Sequence, residues 1–177
     1  MPVLPPLPAD QWDDKVLGAL SGMLPRKMRN PEDAGNALAT LVHHPDLTAA
    51  FLRFNVHVLF RSTLSPRLRE MTILRVARLH DSPYESSHHL PLAAEAGLSE
   101  EEITAAQRGE AADEFERKVL EAVDESHKTS RLSESTWTAL GEHLDVQQRM
   151  DFLFTIGAYG LMAMAFNTFG VELENER

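Results

Sequence analysis

SPRLREMTILRVARL (65–79), followed by DSPYESSHHLPLAAEAGLSEEEI (81–103), is the stretch whose reading decides the fold. Ser65-Pro66 is a helix cap with proline at the first helical position. The 3.6-residue period that follows puts Ile73, Leu74 and Ala77 on one inward stripe. Glu70 stands three and four positions before Ile73 and Leu74, so it lies on that same stripe, while Arg67, Arg69, Arg75 and Arg78 fall on other faces. A carboxylate on an apolar stripe is costly unless it is paired or protonated, which makes Glu70 either a site residue or a first-turn Glu favoured by the helix dipole. Ser82-Pro83-Tyr84-Glu85 opens a second helix and is read as a capping box. Pro91 is expected to kink or break that helix early, Gly97 to stop it, and Ser99 to Glu102 to form a second capping box.

Working outward, helical period governs nearly the whole chain and strand-like alternation is absent. Helices are expected over 9–22, 32–43, 46–61, 66–80, 83–96, 100–108, 112–129, 134–143 and 146–168, an all-α fold in a single 1–177 domain. Residues 1–8 form an extended proline-rich arm, and the acidic tail 172–177 is expected to fray. A weak echo links RLREMTILRVARL (67–79) with QQRMDFLFTIGAY (147–159), each leading towards a Gly-aliphatic pair, Gly97-Leu98 and Gly170-Val171. A duplicated helical hairpin unit produces such an echo, and so does chance likeness of two buried helices. Residues 152–171 carry no charge. With three glycines and no basic flanks, they are read as a helix buried on all sides rather than a membrane span.

Composition narrows the function. In 177 residues, 43% are hydrophobic and 25% charged, which is ordinary globular usage. The net charge of −10 repels phosphate backbones and anionic lipid, so neither nucleic acid nor membrane is expected as a partner. There is no cysteine, which excludes disulfides, thiol catalysis and thiolate metal sites. The start, MPVLPPLPADQW, has four prolines and no basic segment, so no signal peptide is expected and the cytoplasm is the expected compartment.

The chemistry-bearing residues cluster in 70–89. Glu85 and His89 are four apart on one helix face, and such a couple in a dry cleft can divide acid and base roles. The alternative is that Glu85 merely completes its cap and the histidines are surface residues. His88 points a third of a turn away from His89. Only one Glu-x-x-His spacing, Glu85 to His88, is present, and HExxH is absent. His43-His44 and His127 lie at helix ends, so no metal is expected. GxSxG, the Walker loop and GxGxxG are also missing.

LREMTILRVARL, then YESSHH, then LAAEAGLSEEEI resembles the carboxymuconolactone decarboxylase / alkylhydroperoxidase D-like family over about residues 45–110, and the ending AMAFNTFGVELE is similar to longer members. The resemblance implies an all-α helical bundle that assembles as a homotrimer or a multiple of trimers. The apolar arm VLPPLP, with nothing of its own to cover it, points to an oligomer too. The peroxidase branch pairs a helix Glu with Cys-x-x-Cys and a His four residues on. Anchored on His89, those positions fall on Glu70, Ser82 and Glu85, so both cysteines are replaced and no thiol peroxidase activity is expected. The decarboxylase branch implies a cofactor-free lyase acting on a small unsaturated carboxylate or lactone. Glu70 is then the expected main proton-transfer residue, assisted by Glu85 and His89. Tyr84 and His88 would line the substrate, and His57, Arg75 and Arg78 are candidate partners for its carboxylate. Two other readings remain open: a stress-related or scaffold protein that kept the fold and lost the chemistry, and a metal enzyme with Glu70, Glu85 and His89 as ligands.

Overall fold

The computed structural model describes residues 2–174. Among them there is no strand, and nine α-helices follow one another: α1 Asp14–Ala19, α2 Pro31–Leu41, α3 Pro45–Phe60, α4 Pro66–Leu79, α5 Pro83–Glu95, α6 Glu100–Arg108, α7 Glu114–Thr129, α8 Glu134–Leu140 and α9 Val146–Phe169. The last three residues of the expected acidic tail lie outside the described residues. The fold is the all-helical one expected. The expected first helix, 9–22, is instead a 3-10 turn at Ala9–Gln11 and the short α1, because the Asp13 side chain accepts the Val16 amide and starts a new helix there.

The chain divides into two compact units, Met1–Arg61 with Ala165–Arg177, and Ser62–Met164. In the first, Leu7, Val16, Leu20, Ala34, Val42 and Leu52 form the core. Asn30 caps α2 and the His44 ring caps α3, each ahead of a proline at the first helical position. The arm is tied down within this unit: the Leu7 amide donates to the Ala39 carbonyl, Val3 and Leu4 donate to Phe169, and the Trp12 indole donates to Leu7. Leu7 is thereby buried and Leu4 is half-buried, whereas Val3 stays 81% exposed.

The second unit is built around α4, which packs against α5, α6 and α7. Ser65 caps α4 through the Leu68 amide. Met71, Leu74, Ala93, Leu98, Ile103, Ala106 and Leu120 make its core, each large side chain stabilising by ~1.5–3 kcal/mol. α5 runs through Pro91 without the expected break. The donor that proline lacks would have served Ser87, which is exposed, so water can take its place. Gly97 ends α5 in a left-handed turn at φ 89°. In the echo, Gly170 at φ 70° ends α9 itself, whereas Gly97 ends the helix after α4, so the two segments do not correspond helix by helix.

α9 is long and apolar enough to cross a membrane by length and composition alone. It is not buried on all sides. Phe152, Thr155, Ile156, Tyr159, Met162 and Ala163 face inward, while Met150, Leu153, Leu161 and Met164 face solvent.

Candidate functional site

The sequence places Glu70 on the buried face of α4 and Glu85 and His89 one turn apart on α5, and the packing of α4 on α5 brings all three together. Glu70 is completely buried. His89 Nδ1 donates to Glu70 Oε2 at 2.7 Å, and Arg69 Nε donates to Glu70 Oε1 at 3.1 Å. This carboxylate thus has a cationic or hydrogen-bonding partner at each oxygen. Tyr159 of α9 closes the cluster. Its ring meets the His89 imidazole edge-on, with centroids 4.9 Å apart.

Glu85 sits differently. It is 4% exposed, and its Oε2 has no hydrogen-bond partner among the described residues. Burial pushes its carboxyl up to about 8, so it holds a proton at neutral pH. The Tyr159 phenol is pushed well above its ordinary range, first by burial and then by the charges of Glu85 and Glu70, with Arg69 opposing. The cluster therefore joins a hydrogen-bonded Glu70–His89–Arg69 system to a neutral acid.

One turn before Glu85, Ser82 is also buried, and its hydroxyl has no partner among the described residues. The capping box expected from Ser82 and Glu85 does not form: Ser82 makes no side-chain cap, and Glu85 turns inward. Ser82 borders a cavity of about 230 Å³ lined also by Ala77, Arg78, Asp81, Pro83 and Ser86.

The other expected substrate contacts are placed as follows. Arg78 pairs with Asp81 at 2.7 Å on the rim of that cavity. Arg75 grips both oxygens of Asp124, at 2.6 and 2.8 Å, and donates to the Gln107 carbonyl, which ties α4 to α6 and α7. Its guanidinium is committed to holding helices together. Tyr84 is buried and stacks on the exposed His88, whose Nδ1 lies 2.9 Å from the Tyr84 carbonyl. His57 is exposed on α3, in the first unit. Arg69 and Tyr159 were missed. Arg69 was assigned to an outer face, yet its side chain folds back to its neighbour. Tyr159 could have been found as the lone hydroxyl-tipped aromatic in the run FLFTIGAYGLMAMAF (152–166).

The structure has the architecture of the alkylhydroperoxidase D-like proteins. It matches the alkylhydroperoxidase AhpD core of an uncharacterized peroxidase-related protein from Ralstonia eutropha JMP134 at TM-score 0.72 and 19% identity, covering 97% of this chain and 93% of that one. It matches the debrominase Bmp8 at TM-score 0.76 and 15% identity, both as the apo protein and as a Cys-to-Ala variant with 2,3,4-tribromopyrrole. Those alignments cover 97% of this chain and 92% and 91% of the others. At such identities the likeness establishes the fold. No curated protein sequence matches. Residues 45–125, from the start of α3 into α7, match the model of the carboxymuconolactone decarboxylase family and carry every element of the site except Tyr159. That matching segment contains no cysteine.

Proposed function

We propose that the protein is a cofactor-free lyase that removes CO₂ from a small unsaturated carboxylate or lactone by general acid/base catalysis. The observation that carries this reading is Glu85: a buried carboxyl, without a partner at Oε2, holding a proton beside the fixed Glu70–His89 pair. Loss of CO₂ leaves an electron pair on the substrate carbon, which a conjugated lactone carbonyl holds as an enolate. Glu85 then delivers its proton to carbon and becomes a carboxylate. Glu70 and His89 restore the proton from water, with Arg69 and His89 holding the charge of Glu70 in place. Burial removes water from the leaving carboxylate, which assists its departure.

Thiol-dependent chemistry, whether peroxide reduction or a thiol-assisted dehalogenation, has no nucleophile in a chain without cysteine. The complete burial of Glu70 favours a second reading, in which the Glu70–His89 pair is purely structural and the fold serves a non-catalytic, stress-related role.

The test is a screen of small unsaturated lactones and carboxylates for CO₂ release, followed by pH profiles on the best substrate. Activity should fall as pH rises through about 8, where Glu85 loses its proton. Glu85→Gln should lose about 10²–10⁴ in kcat, and Glu70→Gln at least about a hundredfold. Wild-type turnover by either folded variant would remove that residue from the mechanism. Absence of any substrate across the screen favours the non-catalytic reading.

A further inference from the structure

Donors and acceptors do not balance in the cluster around Glu70. Three buried groups keep their protons there at neutral pH: the Ser82 hydroxyl, the Glu85 carboxyl and the Tyr159 phenol. Ser82 Oγ and Glu85 Oε2 have no partner among the described residues. The acceptor of the cluster is Glu70, and it is occupied at both oxygens, by His89 Nδ1 at 2.7 Å and by Arg69 Nε at 3.1 Å. A buried donor without an acceptor is unfavourable. What the site lacks is an oxygen that accepts. Ser82 also borders the cavity of about 230 Å³, which puts open space one helical turn from Glu85.

Tyr159 reaches this cluster from α9, whereas Glu70 and Arg69 come from α4 and Glu85 and His89 from α5, all within the unit Ser62–Met164. Its ring lies edge-on to the His89 imidazole, with centroids 4.9 Å apart. The groups that act on its phenol electrostatically are Glu85, Glu70 and Arg69, and burial outweighs them all in holding the proton on. A phenol held in this way donates a hydrogen bond and does not ionise. A tyrosine beside a carboxyl kept neutral by burial is an arrangement that binds an oxyanion in a dry site.

We propose that Tyr159 is the oxyanion donor of this site, its hydroxyl donating to the enolate oxygen of a small lactone while Glu85 stands over the carbon. In the decarboxylation described above, the bond from that carbon to the carboxylate breaks and CO₂ leaves. The electron pair moves through the conjugated system onto the enolate oxygen. Tyr159 holds the charge there by a hydrogen bond and keeps its own proton. When Glu85 protonates the carbon, the pair returns from oxygen and the carbonyl re-forms. The part Tyr159 plays in turnover rests on the lyase reading, whereas the binding of an enolate oxygen does not.

The probe is tetronate, a five-membered lactone that is an enolate at neutral pH and resembles the anion left when CO₂ departs. Calorimetry should show wild type binding it, and Tyr159→Phe, which keeps the ring against His89, binding it about ten- to hundredfold more weakly. The urea midpoint of Tyr159→Phe should not fall, a split that a merely structural hydroxyl would not give. The chain has two tyrosines, so protein labelled with 3-fluorotyrosine gives two fluorine resonances, and Tyr84→Phe assigns them. Tetronate should shift that of Tyr159, which keeps the test open if Tyr159→Phe fails to fold. On a substrate found by the CO₂-release screen, Tyr159→Phe should lose about 10²–10³ in kcat with KM little changed. Its pH profile should still fall through about 8, because Glu85 is intact. Absence of tetronate binding by wild type overturns the proposal, and so does equal binding by wild type and Tyr159→Phe or an unmoved Tyr159 resonance. Wild-type kcat in Tyr159→Phe also overturns it, while the decarboxylation observed leaves the lyase reading standing. Tetronate binding that depends on Tyr159, with no compound in the screen decarboxylated, does the reverse: the lyase reading falls and the oxyanion site stands.

Discussion

The pattern Ser-x-x-Glu occurs at the start of α5 and again at the start of α6, and the two copies do opposite things. At α6, the Ser99 hydroxyl accepts the Glu102 amide, Glu102 accepts the Ser99 amide, and Arg67 grips both oxygens of Glu102, at 2.6 and 3.3 Å. Those contacts, Arg67 first, hold the Glu102 carboxyl down at about 2. At α5, Ser82 caps nothing, and Glu85 faces inward without a partner at Oε2, pushed up to about 8. Pro83 is not the cause, since α2, α3 and α4 are capped ahead of a proline too; among the described residues no arginine grips Glu85 as Arg67 grips Glu102. The local rule is satisfied where the helix start is structural and broken where two polar groups are buried without partners. Such breaks are expected at functional sites.

The sharpest way to exploit this contrast is pH. Glu85 has a folded pKa of about 8 against 4.5 for an ordinary Glu. A raised folded value means that its contribution is fully present below pH 4.5 and is lost as pH rises through about 8. At ~1.4 kcal/mol per pH unit, on the order of 5 kcal/mol of stability disappears across that window. Glu85→Gln carries no such titration. Its denaturation midpoint should match wild type near pH 4.5 and exceed it clearly above pH 8. Parallel pH profiles for the two proteins would mean that Glu85 is solvated and that the contrast with Glu102 is only apparent.

A smaller effect attaches to the sealed side. Arg67 donates to both oxygens of Glu116 and to Glu102, joining α4 to α6 and α7. Arg67→Met keeps the stem and removes the fork, so it should cost about 2 kcal/mol by urea denaturation. The Glu102 carboxyl should then titrate nearer its ordinary range by NMR. An unchanged denaturation midpoint would show that solvent screens these pairs completely.

The fold was legible because its signals are local. Ser65-Pro66, Ser99 to Glu102 and Gly97 each do what their side chain or backbone freedom dictates. Glu70 and His89 were legible because a charge on an apolar stripe needs a partner, and the family pattern places one on the next helix. Three things were not. Tyr159 reaches His89 from a helix seventy residues on, and no local period reports such a contact. Arg75 looked available to a substrate because Asp124 and the Gln107 carbonyl meet it only after folding. The outward face of α9 was hidden by its uncharged composition, since an apolar run reads as buried on all sides whether or not a neighbour covers each side.

The finest test compares the two serines directly. Ser99→Ala removes an acceptor for the Glu102 amide and half of a capping box, and such losses cost about 1 kcal/mol. Ser82→Ala removes a hydroxyl that is buried and accepts nothing from the helix it precedes. An unsatisfied buried hydroxyl is itself unfavourable, and alanine fits in its place without a new polar group, so this change should be neutral or stabilising by up to about 1 kcal/mol. The same substitution at the same position of the same motif should thus have opposite signs, read as shifts in urea midpoint at one pH near neutrality. A loss at Ser82 as large as that at Ser99 would mean that its hydroxyl is satisfied in solution, by water or by Glu85 itself. Glu85 Oε2 would then have a partner, and its proton would be held by a hydrogen bond rather than by burial. Following Ser82→Ala with the pH profile of Glu85 separates these cases: a carboxyl held by burial keeps its raised titration in the variant, whereas one held through Ser82 changes it.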